Sequence, residues 1–234
     1  APSTEVLLSG YGDATSLREV RGEALEVFDT RPLDAEDYVA LWVDAIEVWG
    51  RKFLLCMGVT AQGRKHMLGV VEGREYDPAA AGQLLDDLVR RGLNASEGLL
   101  GITSGTAQLS RVLADYFGPK LKSQYCQMHK RQRVLSVLGV QDQIRIRGAI
   151  TRAYACPEAD EARSALMRVY EELQPLNRTA AQWLLRNLDQ TLTLHRTGLY
   201  ERLSPSLRST RSLAHIALKL HRHLREVRQW IPAP

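Results

Sequence analysis

The chain has 234 residues, of which 44% are hydrophobic and 25% charged, the composition of an ordinary globular protein with room for one large domain or two small ones. No apolar run approaches the roughly 18–20 residues that a membrane-spanning helix needs, so no transmembrane helix is expected. The net charge of +4 is unevenly spread: residues 119–234 hold 20 Lys/Arg and 9 Asp/Glu, or +11, and residues 1–118 hold 11 and 18, or −7. A half so basic is either solvated surface or a face for a polyanion.

In chain order, residues 1–34 read as a helix between loops, starting near Thr15-Ser16-Leu17 and closed by Arg31-Pro32. Three strands follow: Tyr38 to Val48, Lys52 to Thr60 and His66 to Val71. The joining turns, Gly50-Arg51 and Ala61-Gln62-Gly63-Arg64, are short and contain glycine, which predicts antiparallel hairpins. The period then changes. Asp77-Pro78 fits an N-cap with proline at the first helical position, Leu84, Leu85, Leu88 and Val89 form one face, and Gly92 stops the helix. Leu99 to Thr103 is short enough only for a buried strand, Ala107 to Phe117 is a helix with Leu109, Val112, Leu113 and Tyr116 inward, and Ser123 to Cys126 is a fifth strand. From His129 to about Gly198 the pattern is almost wholly helical, with stripes such as Val134-Leu135, Ile144-Ile146-Ile150 and Leu166-Val169-Leu173. A last, basic helix is predicted from Ser212, with Leu213, Ile216, Leu220, Leu224 and Val227 on one face.

The order β-β-β-α-β-α-β puts hairpins first and parallel crossover units after them. This is the ribonuclease-H-like arrangement, an α/β core with a mixed five-stranded sheet, here interrupted by an all-helical insertion. The expected division is an N-terminal helical remnant at 1–34, a core of 35–126 plus 205–234, and an insertion at 127–204. In such a core the middle of the first strand lies beside the end of the fourth, where Asp44 and Ser104 fall. Phosphodiester cleavage on this fold uses two metal ions, and hard dications such as Mg²⁺ and Mn²⁺ want carboxylate oxygens. Asp44 supplies one; Ser104 offers a neutral hydroxyl.

The ordered motifs resemble the bacterial mutator-type insertion-sequence transposases, which carry an Asp-Asp-Glu triad. The similarity runs from near Leu17 to Trp230. Leu41-Trp42-Val43-Asp44 matches the first-strand Asp, and Gly58-Val59-Thr60-Ala61-Gln62-Gly63-Arg64 matches the segment between strands two and three. The second Asp falls on Ser104, the Cys-x-x-His-Lys motif on Cys126-Gln127-Met128-His129-Lys130, and the Ser-Thr-Asn-Pro-x-Glu segment on Ser209-Thr210-Arg211-Ser212-Leu213-Ala214. Between positions 104 and 214 lie 109 residues, the size of the family's helical insertion.

The resemblance implies catalytic positions at Asp44, Ser104 and Ala214, the last two without a carboxylate, and a phosphate-contacting role for His129, Lys130, Arg131 and Arg133. Arg208 and Arg211 just before the last helix, with Lys219, Arg222, Arg225 and Arg228 in it, form a candidate nucleic-acid track, with a solvated helix or a protein-contact face as the alternative. Asp44 stands either as a weak residual metal ligand or as a strand-end acid satisfied by backbone or water. Cys126 and His129 stand either as half of a zinc site or, respectively, as a packing residue and a helix-start residue near the cleft. The expected protein is transposase-derived, binds DNA, and is impaired or inactive as a nuclease, with Mg²⁺ or Mn²⁺ as cofactor only if active and no metal held otherwise. Two alternatives are an active transposase with an atypical triad and a non-catalytic scaffold for a protein partner. A homodimer is implied by resemblance alone. Three cysteines, Cys56, Cys126 and Cys156, form no disulfide framework, and the start Ala1-Pro2-Ser3-Thr4 lacks signal-peptide character, so the expected location is cytoplasmic, beside the nucleoid if DNA is bound. A start without Met and few residues before Asp44 also suggest a trimmed chain.

Overall fold

The computed structural model of the chain describes residues 28, 30–48, 50–73, 77–105 and 107–207. Most of the predicted N-terminal helix, the last basic helix, Ala214, and Arg208, Arg211, Lys219, Arg222, Arg225 and Arg228 lie outside the described residues.

Strands β1 (Tyr38–Val48), β2 (Arg51–Thr60) and β3 (Lys65–Glu72) form an antiparallel meander. Its two turns close through Gly50 and Gly63, whose φ angles of 76° and 80° favour glycine. Helix α1 (Pro78–Arg90), strand β4 (Leu99–Thr103), helix α2 (Ala107–Phe117) and strand β5 (Leu121–Tyr125) follow. β4 is parallel to β1, and β5 to β4, giving a five-stranded mixed sheet in the order β3-β2-β1-β4-β5. The α/β class and the mixed sheet expected from the sequence are present. The fifth strand starts two residues before the predicted Ser123, because its ladder with β4 opens at Leu99↔Leu121. It also ends at Tyr125: Cys126 donates its N–H to Thr103 O at 2.8 Å and then starts the next helix.

Side chains alternate across the sheet, and both faces are buried. Leu41 and Val43 of β1 join one core with Leu84, Leu85 and Leu88 of α1 and Leu109 and Leu113 of α2. Ala40 and Trp42 join a second core on the opposite face, with Leu100 and Ile102 of β4. Asp77 caps α1 as predicted, accepting from Ala79 N at 3.0 Å and Ala80 N at 3.2 Å, an arrangement whose loss costs about 1 kcal/mol. Two predicted inward residues are exposed instead. Val89 lies at the margin of the α1 face, and Tyr116 turns outward so that its hydroxyl reaches Asp86 Oδ1 at 2.7 Å and Gly82 O at 3.1 Å, tying α2 to α1 at the surface.

One buried charge supports the sheet. The β2–β3 register slips between Cys56↔Gly69 and Met57↔Met67, which leaves Leu68 in a bulge. Arg91, just beyond α1, donates to Leu68 O and to Phe28 O, and is held by Asp87, with Nε 2.8 Å from Oδ2. The guanidinium thereby satisfies a bulge carbonyl that would otherwise be buried unpaired.

After β5 the chain is helical: α3 (Gln127–Leu135), α4 (Val140–Ala155), α5 (Ala159–Leu176), α6 (Arg178–Leu185), two 3₁₀ turns (Asp189–Leu192 and Leu194–Thr197) and α7 (Tyr200–Leu207). Helices α3 to α6 share a core of their own that includes Val134, Ile146, Ile150, Leu166 and Leu184. Ile144, predicted on the inward stripe, is exposed. Leu194, Tyr200, Leu203 and Leu207 pack on the second face of the sheet, so the chain is back on the sheet by Leu194. A polar seam joins the two parts. Gln124 Oε1 of β5 accepts from Leu194 N at 2.6 Å, and Gln127 Nε2 donates to Thr191 O at 2.9 Å. Tyr154 donates to Thr191 Oγ1 at 3.0 Å, and the Thr191 hydroxyl in turn donates to Leu188 O at 2.6 Å. Among the described residues no helix is long and apolar enough to cross a membrane.

Candidate active site

Asp44 lies in β1 one residue beyond Val43↔Thr103, the last pair of the parallel β1–β4 ladder, and opposite Leu55 on the antiparallel side. Alternation puts it on the Ala40–Trp42 face, towards the helices. Ser104 continues the Leu100–Ile102 face of β4 in the same way. The strand-order prediction that brings these two positions side by side therefore agrees with the register. Gly105, with φ of 100°, turns the chain away from the sheet against the Tyr125 ring. Helix α3 starts at the end of β5 with no intervening loop and carries His129 in its first turn. Asp44, in mid-β1 where its parallel ladder with β4 ends, thus lies beside the carboxyl ends of β4 and β5, which Ser104 and His129 follow, the end of such sheets at which ligands bind.

Asp44 is only 7% exposed. Its Oδ1 accepts from Ala45 N at 2.9 Å, and its Oδ2 is 3.7 Å from His129 Nε2. Burial pushes the carboxyl above its ordinary range, while the His129 imidazole and the Ala45 amide pull it back. The Ser104 hydroxyl oxygen is buried and has no hydrogen-bond partner among the described residues. The basic residues after His129 face the helices. Lys130 Nζ donates to Trp183 O at 2.9 Å and to Arg186 O, at the C-terminal end of α6. Burial, with Arg133 and Arg186 adding repulsion, lowers its pKa to about 8. Arg131 Nη1 donates to Thr151 Oγ1 of α4 at 2.8 Å, and the Arg133 guanidinium lies 5.0 Å from the Trp183 ring centroid. Sequence spacing gave no sign of Thr151, Trp183 or Arg186 as partners, because each contact crosses between helices.

The donor set does not fit a pair of hard dications. One carboxylate, one neutral hydroxyl and one imidazole leave most of the metal charge unbalanced. Among the described residues no group of three or more His, Cys, Asp or Glu could hold a metal ion. Glu47 points to the other face and pairs with Lys52 at 3.6 Å, and Glu97 is exposed at the far end of β4 from Ser104. Cys126 is buried in the sheet-face core.

A mixed five-stranded sheet in this order, covered by helices, is compatible with the ribonuclease-H-like class. Within that class the chain belongs to the mutator family of transposases: the family model described as "Transposase, Mutator family" matches residues 14–232, against a resemblance read from near Leu17 to Trp230. Curated relatives agree. The transposase for insertion sequence element IS6120 of Mycolicibacterium smegmatis is 32% identical over 145 residues, 59% of this chain and 44% of the relative. The transposase for IS1081 of Mycobacterium tuberculosis is 28% identical over 162 residues, 64% of this chain and 38% of the relative. The transposase for IST2 of Acidithiobacillus ferrooxidans is 29% identical over 125 residues, 52% of this chain and 42% of the relative. The chain spans less than half the length of each of these relatives.

Proposed function

We propose that this chain is a transposase-derived nucleic-acid-binding protein that has lost two-metal strand cleavage. The observation that carries the proposal is Ser104: a neutral hydroxyl stands beside Asp44 where the chemistry requires a second carboxylate, and the remaining acid is engaged by His129 and by its neighbouring amide. Ala214, at the third position of the motif, removes the last carboxylate by sequence alone. The basic residues of the C-terminal half remain for contact with phosphates. Such contact is salt-dependent and largely indifferent to sequence. Its place of action is then the bacterial cytoplasm, at the nucleoid.

The decisive measurement is a nicking assay on end-labelled duplex DNA with Mg²⁺ or Mn²⁺, run beside salt-dependent binding. The expected result is binding without cleavage, with no difference between the wild type and Asp44→Ala. Metal-dependent nicking that disappears in both Asp44→Ala and His129→Ala would overturn the proposal in favour of an active enzyme with an Asp–His centre. A second arm restores the acids: Ser104→Asp with Ala214→Glu is expected to give calorimetric Mn²⁺ binding that the wild type lacks.

A further inference from the structure

We infer that the exposed face of α4 is a phosphate-binding surface, one that grips the backbone of a duplex. This rests on the nucleic-acid reading above and adds a site that the motif residues do not include. Arg147 and Thr151 are one helical turn apart on α4, as are Gly148 and Arg152, so the four occupy adjacent rows of one helix. Arg147, Thr151 and Arg152 are exposed. Arg131 reaches across from α3 to Thr151 Oγ1 at 2.8 Å, and the Thr151 hydroxyl donates to Arg147 O at 2.7 Å. The cluster is therefore continuous with the helix that carries His129.

Charge pairing sets Arg147 and Arg152 apart from Arg145, Arg163 and Arg196. Asp142, the one acidic residue of α4, is in the first turn and holds Arg145 at 2.9 Å, and Arg145 also meets Glu172. Asp189 takes Arg163 at 3.3 Å and Arg196 at 2.7 Å. Arg147 and Arg152 form no ion pair among the described residues. Glycine in mid-helix is destabilising relative to alanine. At Gly148 the missing side chain leaves room that the Arg152 guanidinium takes, with Nη1 3.2 Å from the place a Cβ would occupy. Guanidinium forks suit phosphodiester oxygens, which Arg recognises bidentately.

The test uses the full chain and a fluorescein-labelled duplex of arbitrary sequence, with anisotropy read over a series of salt concentrations. Arg147→Gln/Arg152→Gln is compared with Arg163→Gln/Arg196→Gln, which removes the same formal charge from the ion-paired arginines; circular dichroism verifies that both are folded. The first pair is expected to weaken binding and to flatten the slope of log Kobs against log[salt] by about 1 per arginine, and the second to leave the slope near wild type. Wild-type binding with an unchanged slope in the first pair overturns this inference and leaves the DNA-binding reading standing. Equal flattening in both pairs also overturns it, since bulk charge then accounts for the effect. A wild type that binds no duplex at low salt overturns both.

Discussion

At Asp44 two influences oppose each other: burial favours the neutral acid, and His129 with the Ala45 amide favours the anion. A carboxyl whose folded pKa exceeds its unfolded value binds more protons in the native state. The stability it supports is therefore present at low pH and lost as pH rises from the ordinary carboxylate range through the folded pKa. His129→Gln removes the larger of the two opposing influences, so the Asp44 carboxyl is expected to titrate at higher pH in that variant, measured by the carboxyl carbon shift in NMR. A midpoint unchanged or lowered would show that the 3.7 Å approach carries no electrostatic weight. Asp44 and Ser104 were legible as neighbours because strand alternation and parallel pairing fix which residues share a face. The partnership of Asp44 with His129 was legible only through the family motif, since spacing cannot say which helix start meets which strand.

Among the elements, α6 shows how a motif residue can serve the fold. A helix leaves its last carbonyls unsatisfied, and Lys130 supplies the C-terminal end of α6 with its ammonium group. Sequence placed Lys130 with the phosphate-binding residues; its ammonium is instead directed between helices, and any contact with DNA competes with these two carbonyls. With a folded pKa of about 8 against an ordinary 10.5, the native state releases the lysine proton before the unfolded chain does, and the lysine adds stability as pH rises through that window. Lys130→Met keeps the stem and removes the titration. The difference in melting temperature between wild type and Lys130→Met is expected to move in favour of the wild type from pH 8 to 10.5; a constant difference would contradict the assignment. The boundaries of β1, β4 and α2 were readable from apolar runs and flanking turn residues. The exposure of Val89, Tyr116 and Ile144 was not, because periodicity marks a face and cannot say how wide its partner is.

For the molecule as a whole, the union of sheet and helices depends on buried polar groups. Gln127 and Tyr154 both meet Thr191 across the seam, and Gln124 meets the Leu194 amide. Nothing in their spacing announces this, so the seam was invisible in the sequence, although both of the parts it joins were legible. Thr191→Val is expected to cost about 1–3 kcal/mol by leaving the Tyr154 hydroxyl without its acceptor; Tyr154→Phe in the same background is expected to recover part of the loss in chemical denaturation, and full additivity of the two would refute the coupling. The direct passage from β5 into α3 has a wider consequence. Cys126 is bonded to β4, His129 faces Asp44, and Lys130 and Arg131 are fastened to α6 and α4. Helix α3 is thus a lever without a hinge, and parting the helices from the sheet and taking His129 away from Asp44 are one and the same movement.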